Sequence, residues 1–246
     1  MTAPPESPLI SHPCLLAALS APRLGAYSIA ADRTSTEAVA RYLWNLAIGA
    51  ALWPAIHLLE VSVRNAIHQV GTEHNGHRLP PSTSVICWLD AGLLEEKEAK
   101  EVEKAKERLG PGRRTAGHLV AELTLGFWVR LCNRPYEHGR ATGPGLWPRT
   151  ARLFHHCPRS LRNREHIRRT LENALDLRNR IAHHHPLWDR RPDKRMRETL
   201  EVLGWLHPAI ATAFCRNTKA YDIIAAGLGP FVPLAESLVS MGGTGV

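Results

Sequence analysis

The chain has 246 residues, 44% of them hydrophobic and 22% charged, which suits a folded globular protein and excludes global disorder. Its formal net charge of +8, from 31 Lys+Arg against 23 Asp+Glu, favours an anionic partner without choosing among nucleic acid, membrane and protein. Five scattered cysteines with no Cys-x-x-Cys pair exclude a disulfide framework and a zinc ribbon. They fit buried thiols in a reducing compartment, hence a cytoplasmic location.

Residues 1–14 are proline-rich, lack a basic n-region, and read as a flexible leader rather than a signal peptide. Leu15 to Tyr27 suits a short helix or turn. Thr34-x-x-Glu37 has the form of a capping box, opening a long helix that meets Pro54 and continues to Gly71. Within it, the 18 positions from Tyr42 to Leu59 carry no charge, a length marginal for crossing a membrane. Asn45, Pro54 and His57 interrupt that stretch and Arg41 and Glu60 close it, which favours a proline-kinked core helix and no membrane.

Residues 73–84 are turn-rich and predict a loop. Glu95 to Arg108 predicts a solvated helix with Glu-to-Lys pairs at helical spacing, ended by Pro111 and Gly112. Ala116 to Cys132 predicts one core helix with Gly126 as a point of close approach, and residues 133–148 a Pro/Gly loop. Helices resume from Leu161 to Ala182, stop at Pro186, and restart from Asp193 to about Arg216. Residues 217–246 predict a C-terminal tail or a short helix. No strand-like alternation and no repeat appears. The expected fold is all-α, a single domain over residues 15–216 of long antiparallel helices with a mid-chain helical and loop insertion.

The positive charge is uneven. Between Arg149 and Arg197 stand fourteen Lys/Arg and five Asp/Glu, a local +9, so the rest of the chain is close to neutral. Thirteen of those fourteen cations are Arg, whose planar fork grips phosphate in two places. A solvated basic face is the bland reading; the preference for Arg favours a phosphate-backbone surface.

In the middle of that segment lies Arg178-Asn179-Arg180-Ile181-Ala182-His183, followed by His184, His185 and Pro186. Helical geometry puts Asn179 and His183 on one face, with Arg178 about 140° around the axis from His183. Pro186 disfavours helix at His185, so His183 falls in the last turn, where the negative end of the helix dipole favours positive charge. A proton-carrying imidazole beside guanidinium groups suits metal-independent RNA cleavage. The 2′-hydroxyl attacks the adjacent phosphorus, His183 moves a proton, and Arg178 stabilises charge on the phosphorane. The same spacing suits a helix C-terminus whose histidine bonds the last carbonyls, and on spacing alone that reading comes first.

The Arg-Asn-x-x-Ala-His-His run with a proline soon after resembles the R-N-x-x-x-H signature of HEPN-domain ribonucleases, in the form found in Abi-like (abortive infection) bacterial proteins. Residues 41–76, with their Leu59-Glu60-Val61 and Arg64-Asn65 run, resemble the N-terminal helix pattern of that family. LSAPRLGAY (residues 19–27) and LTLGFWVRLC (residues 123–132) match in the expected order, so the likeness covers about residues 15–215. It implies a HEPN-like helical bundle that forms a homodimer and brings two motifs together across a cleft. By it, Arg178 and His183 are the catalytic pair and Asn179 the polar residue that accompanies them. Glu60 and Arg64 match a polar pair that either orients the motif or forms a buried ion pair. The family's aromatic after the first helix hairpin is replaced here by HNGHRLPP.

The implied activity is a phage-defence or toxin endoribonuclease acting on tRNA or mRNA, with a possible antitoxin or phage-derived trigger as partner. The RNA-binding candidates are Arg168, Arg169, Arg180, His184, Arg190, Arg191 and, as a base-stacking ring, Trp188. Trp44, Trp53, Trp128 and Trp205 suit core or dimer packing instead. The alternatives are a non-catalytic RNA- or protein-binding HEPN-like dimer and an immunity or antitoxin component.

No cofactor is implied. No metal is expected either, because adjacent histidines point about 100° apart on a helix and cannot share one ion. His155-His156-Cys157 lacks a spaced partner pair. No Gly-rich phosphate loop, His-Glu-x-x-His or Gly-x-Ser-x-Gly is present, which removes nucleoside triphosphatases, zincins and serine hydrolases.

Overall fold

The computed structural model describes residues 18–28, 35–76, 85–137 and 145–240. The leader over 1–14, the capping threonine at 34, most of the loops expected over 73–84 and 133–148, and the last six residues of the tail lie outside them. The protein is all-α: among the described residues there is no strand, only one isolated bridge between Glu137 and Trp147. The helices are α1 (Ala21–Gly25), α2 (Ser35–Asn75), α3 (Glu96–Leu109), α4 (Ala116–Glu122) and α5 (Leu125–Arg130). They continue as α6 (Arg164–Ala182), α7 (Pro192–Leu206), α8 (Pro208–Asn217), α9 (Ala220–Ala226) and α10 (Val232–Ser240). Contacts divide the chain into two compact units. The first is Met1–Pro54, Arg180–Met196 and Asn217–Val246; the second is Ala55–Asn179 and Arg197–Arg216.

In the first unit, Leu24 of α1, Ala38, Val39 and Ala40 of α2 and Ala235 of α10 form a buried cluster, flanked by Leu228, Phe231 and Val232. The segment after 217, where a tail or a short helix was expected, therefore carries two helices and core contacts. Trp44 fastens α2 to α9 by donating its indole N–H to the Ile223 carbonyl at 2.8 Å. Arg41, expected to mark a charged end of the apolar stretch, is 2% exposed. It donates to the Tyr27 carbonyl and to Glu37 Oε1, and lies 5.0 Å over the Trp188 ring. A buried guanidinium keeps its charge when carboxylate, carbonyl and aromatic face share it.

In the second unit, α2 runs on to Asn75 instead of stopping at Gly71. The reason is tertiary. A Cβ at Gly71 would stand 2.1 Å from Trp88 Cε2, so the glycine lets the indole lie on the helix backbone. Trp88 then donates its N–H to His68 Nδ1 and to the His68 carbonyl, each at 3.2 Å. Helix α3 buries Glu98, Val102, Ala105 and Leu109, the spacing of one helical face. Glu98 accepts from Arg130 Nε at 2.7 Å and from the Tyr136 hydroxyl at 2.8 Å, the pairing a buried carboxylate requires.

The helix expected over Ala116–Cys132 is broken at Leu123–Thr124 into α4 and α5. The new N-terminus is satisfied from a distance: Glu60 Oε1 accepts from the Leu125 N–H at 3.0 Å. Gly126 is not a close-approach point, since a Cβ there would meet Leu175 at an ordinary 3.8 Å. The helix expected over Asp193–Arg216 likewise divides at His207, ahead of Pro208, which cannot donate within a helix. Helix α2 is long and apolar enough to cross a membrane by length and composition, with a third of its most apolar window buried.

Candidate functional site

The Arg178–His183 segment forms the last turns and the end of α6. The helix opens on Asn163, whose Oδ1 accepts the His166 N–H at 2.9 Å, an N-cap bond to the third helical residue. Its buried Ile167, Leu171, Ala174 and Leu177 make one apolar stripe. The C-terminus is closed by two backbone bonds. His185 N–H reaches the Arg180 carbonyl at 2.8 Å and His184 N–H the Ile181 carbonyl at 3.1 Å. These are the two bonds of a Schellman motif, in which the residue after the cap takes a left-handed conformation. That residue is His184, with φ 56. Glycine is the usual occupant; histidine is among the side chains that tolerate it. Pro186 then prevents the helix from continuing.

Within the first unit, this turn is held by two side chains from other elements. Arg23 Nη1 donates to the His184 carbonyl at 3.1 Å. Asn45, buried in α2, accepts from the Leu187 N–H at 2.6 Å and the Trp188 N–H at 3.3 Å, and donates to the Tyr27 hydroxyl at 3.2 Å. Burial raises the Tyr27 phenol to about 12, so it stays protonated at neutral pH. His183, His184 and His185 are all exposed, and the rings of His183 and His185 have centroids 6.1 Å apart. Arg180 is half-buried. Asn45 is the position that sequence reasoning missed: a lone Asn in an apolar helix signals a buried partner but not which one.

Trp188 is not an open ring. The Arg41 guanidinium covers one face, and its indole nitrogen is buried with no hydrogen-bond partner. Arg190 lies 3.6 Å from Asp189, and Arg191 lies 3.4 Å from Asp193; both arginines are more than half exposed, so these are weak pairs.

Within the second unit, Arg178 is directed toward α2. Its Nε lies 3.7 Å from Glu60 Oε2, beyond hydrogen-bond range, and is buried with no hydrogen-bond partner; Nη1 donates to Asn179 Oδ1 at 3.4 Å. Glu60 thus faces the Leu125 N–H with one oxygen and Arg178 with the other. No ion pair joins it to Arg64, whose Nε is also buried without a hydrogen-bond partner. Arg168 is engaged by Glu165 and Glu172 along its own helix, while Arg169 is exposed.

Among the described residues no cluster of three or more His, Cys, Asp or Glu is placed to hold a metal ion. Cys87, Cys132 and Cys157 are buried and Cys215 is exposed; burial pushes the Cys132 thiol up to about 12. No protein-family model, no curated protein and no solved structure matches the chain.

Proposed function

We propose that the protein is a cytoplasmic, metal-independent endoribonuclease of the phage-defence or toxin type, with a HEPN-like bundle that acts as a homodimer. The observation that carries this reading is the exposed His183 at the rigid end of α6, inside the one segment that holds the chain's excess of arginine. The Schellman closure sets the backbone at His183, and its exposed imidazole is open to the substrate proton it has to move. His183 takes the proton of a ribose 2′-hydroxyl as that oxygen attacks the neighbouring phosphorus. The bond to the 5′-oxygen breaks, the leaving oxygen takes up a proton, and a 2′,3′-cyclic phosphate remains. Arg178 stabilises the phosphorane, Asn179 steadies its guanidinium, and Glu60 orients it from α2. Arg169, Arg190 and Arg191 offer exposed charge to the RNA backbone.

Purified full-length protein incubated with total RNA in EDTA yields fragments with cyclic-phosphate ends, and His183→Ala abolishes them. Cleavage that persists in His183→Ala removes the residue assignment. One observation favours a second reading, a non-catalytic RNA- or protein-binding dimer: the guanidinium of Arg178 is drawn toward Glu60, with its Nε out of solvent. That reading predicts salt-sensitive RNA binding without turnover, unchanged in His183→Ala.

A further inference from the structure

Next to the α6 turn, within the first unit, is a cleft of about 380 Å³ that no step of the cleavage mechanism uses. It falls in the ~300–1,000 Å³ range of small-molecule sites. Its walls are Leu46, Gly49, Ala50 and Trp53 of α2 on one side and Ile181 and Leu187 on the other, with His184 and His185 at the rim. Trp53, expected in core or dimer packing, is 39% exposed, whereas Trp128 is 0% and Trp205 5% exposed.

We infer that this cleft receives a nucleobase of single-stranded RNA, stacked on Trp53, with the phosphates on either side of it meeting the histidine rim. The inference rests on the reading of the protein as RNA-acting and supplies that site with a base-recognition pocket. Three features support it. No carboxylate lines the cleft among the described residues, and the Arg23 guanidinium on the His184 carbonyl brings positive charge to a rim whose two exposed imidazoles offer hydrogen-bonding nitrogens, which complements a phosphodiester. Gly49 sits inside a helix, where glycine is less stable than alanine. A Cβ there would meet Leu187 Cδ1 at 3.7 Å and Ile181 Cγ2 at 3.8 Å, ordinary contacts. Packing therefore does not demand the glycine; its effect is to deepen the cleft. Finally, Pro54 has no N–H, so the Ala50 carbonyl one turn earlier lacks its helical donor. An acceptor without its helical donor, on an exposed lining residue, suits an exocyclic amino group, which cytosine carries and uracil does not.

The test uses fluorescently labelled 2′-O-methyl oligocytidylate and oligouridylate, which bind but cannot be cut by 2′-hydroxyl attack. Full-length wild type binds the cytidylate more tightly than the uridylate. Trp53→Ala weakens cytidylate binding by about 5- to 140-fold, the loss of one base–aromatic stack. Trp53→Phe retains most of the affinity. Ala50→Leu, at an exposed position, fills the cleft and weakens binding while the melting temperature is kept. Unchanged binding in both Trp53→Ala and Ala50→Leu overturns the inference, and equal binding of the two oligonucleotides overturns the role of the carbonyl. A fall in sedimentation mass on Trp53→Ala also overturns it, because the cleft is then covered by a second copy. The two readings fail separately. Trp53-dependent binding by a wild type that never cuts upholds the pocket and removes the nuclease, whereas cleavage with Trp53-independent binding does the reverse.

Discussion

Replacing Asn45 by alanine tests whether the segment after α6 is held as the structure shows. The substitution leaves the N–H groups of Leu187 and Trp188 without their acceptor and removes the donor to the Tyr27 hydroxyl. A buried donor left unpaired costs about 1–3 kcal/mol. The Leu187 bond, at 2.6 Å and with Leu187 buried, takes the full cost; the 3.3 Å bond to the half-buried Trp188 takes less. The expected loss is about 2–4 kcal/mol, or a fall of about 4–15 °C in Tm for a chain of this size. Tyr27→Phe deletes only the 3.2 Å contact and costs about 0.5–1.5 kcal/mol. Thermal unfolding by circular dichroism measures both. Native-state hydrogen exchange adds a local readout: the Leu187 and Trp188 amides are protected in the wild type and lose that protection in Asn45→Ala. A cost for Asn45→Ala no larger than for Tyr27→Phe, or unchanged protection of the two amides, refutes the reasoning.

Gly71→Ala gains helix propensity of up to about 1 kcal/mol but drives a methyl to 2.1 Å from the Trp88 ring. Its Tm falls, while that of Gly49→Ala rises or holds; the opposite order contradicts the packing described. Glu60→Ala removes the acceptor at the start of α5 and the anion facing Arg178, and destabilises by about 1–3 kcal/mol. Glu60→Gln retains an acceptor for the Leu125 N–H, so it recovers part of that loss in denaturant titration. Burial lowers the pKa of His68 from its ordinary 6.5, so the unfolded chain takes this proton first as the solution is acidified. His68 thus withdraws stability as pH falls through the unfolded value toward the lower folded one. Between pH 7 and 5 the wild type loses more stability than His68→Gln, and equal slopes contradict the assignment.

The helical class was legible because apolar periodicity and stop signals are local: α3 ends at Gly110 with φ 67, next to the Pro111-Gly112 signal. The end of α6 was legible for the same reason, since Pro186 fixes where it cannot continue. Features set by distant partners were not. Gly71 reads as a helix stop until Trp88 is placed on it, and the break before Leu125 has only Thr124 as a local signal, whose side chain makes no cap bond while Glu60, far away in the chain, accepts the Leu125 N–H. Arg41 read as a charged end of the apolar stretch and Trp188 as a base-stacking ring, yet they cover one another. The candidate site was legible as a motif. Its Asn45 clamp and the approach of Arg178 to Glu60 depend on contacts between residues remote in sequence.

The most direct test of the central claim is a short RNA containing one mapped cleavage position, compared with the same strand bearing a single 2′-deoxy substitution there, both in EDTA. Attack by the 2′-oxygen, assisted by His183, predicts cleavage with a 2′,3′-cyclic phosphate end in the first strand and none at the substituted position in the second. Cleavage of both strands at that position would contradict it.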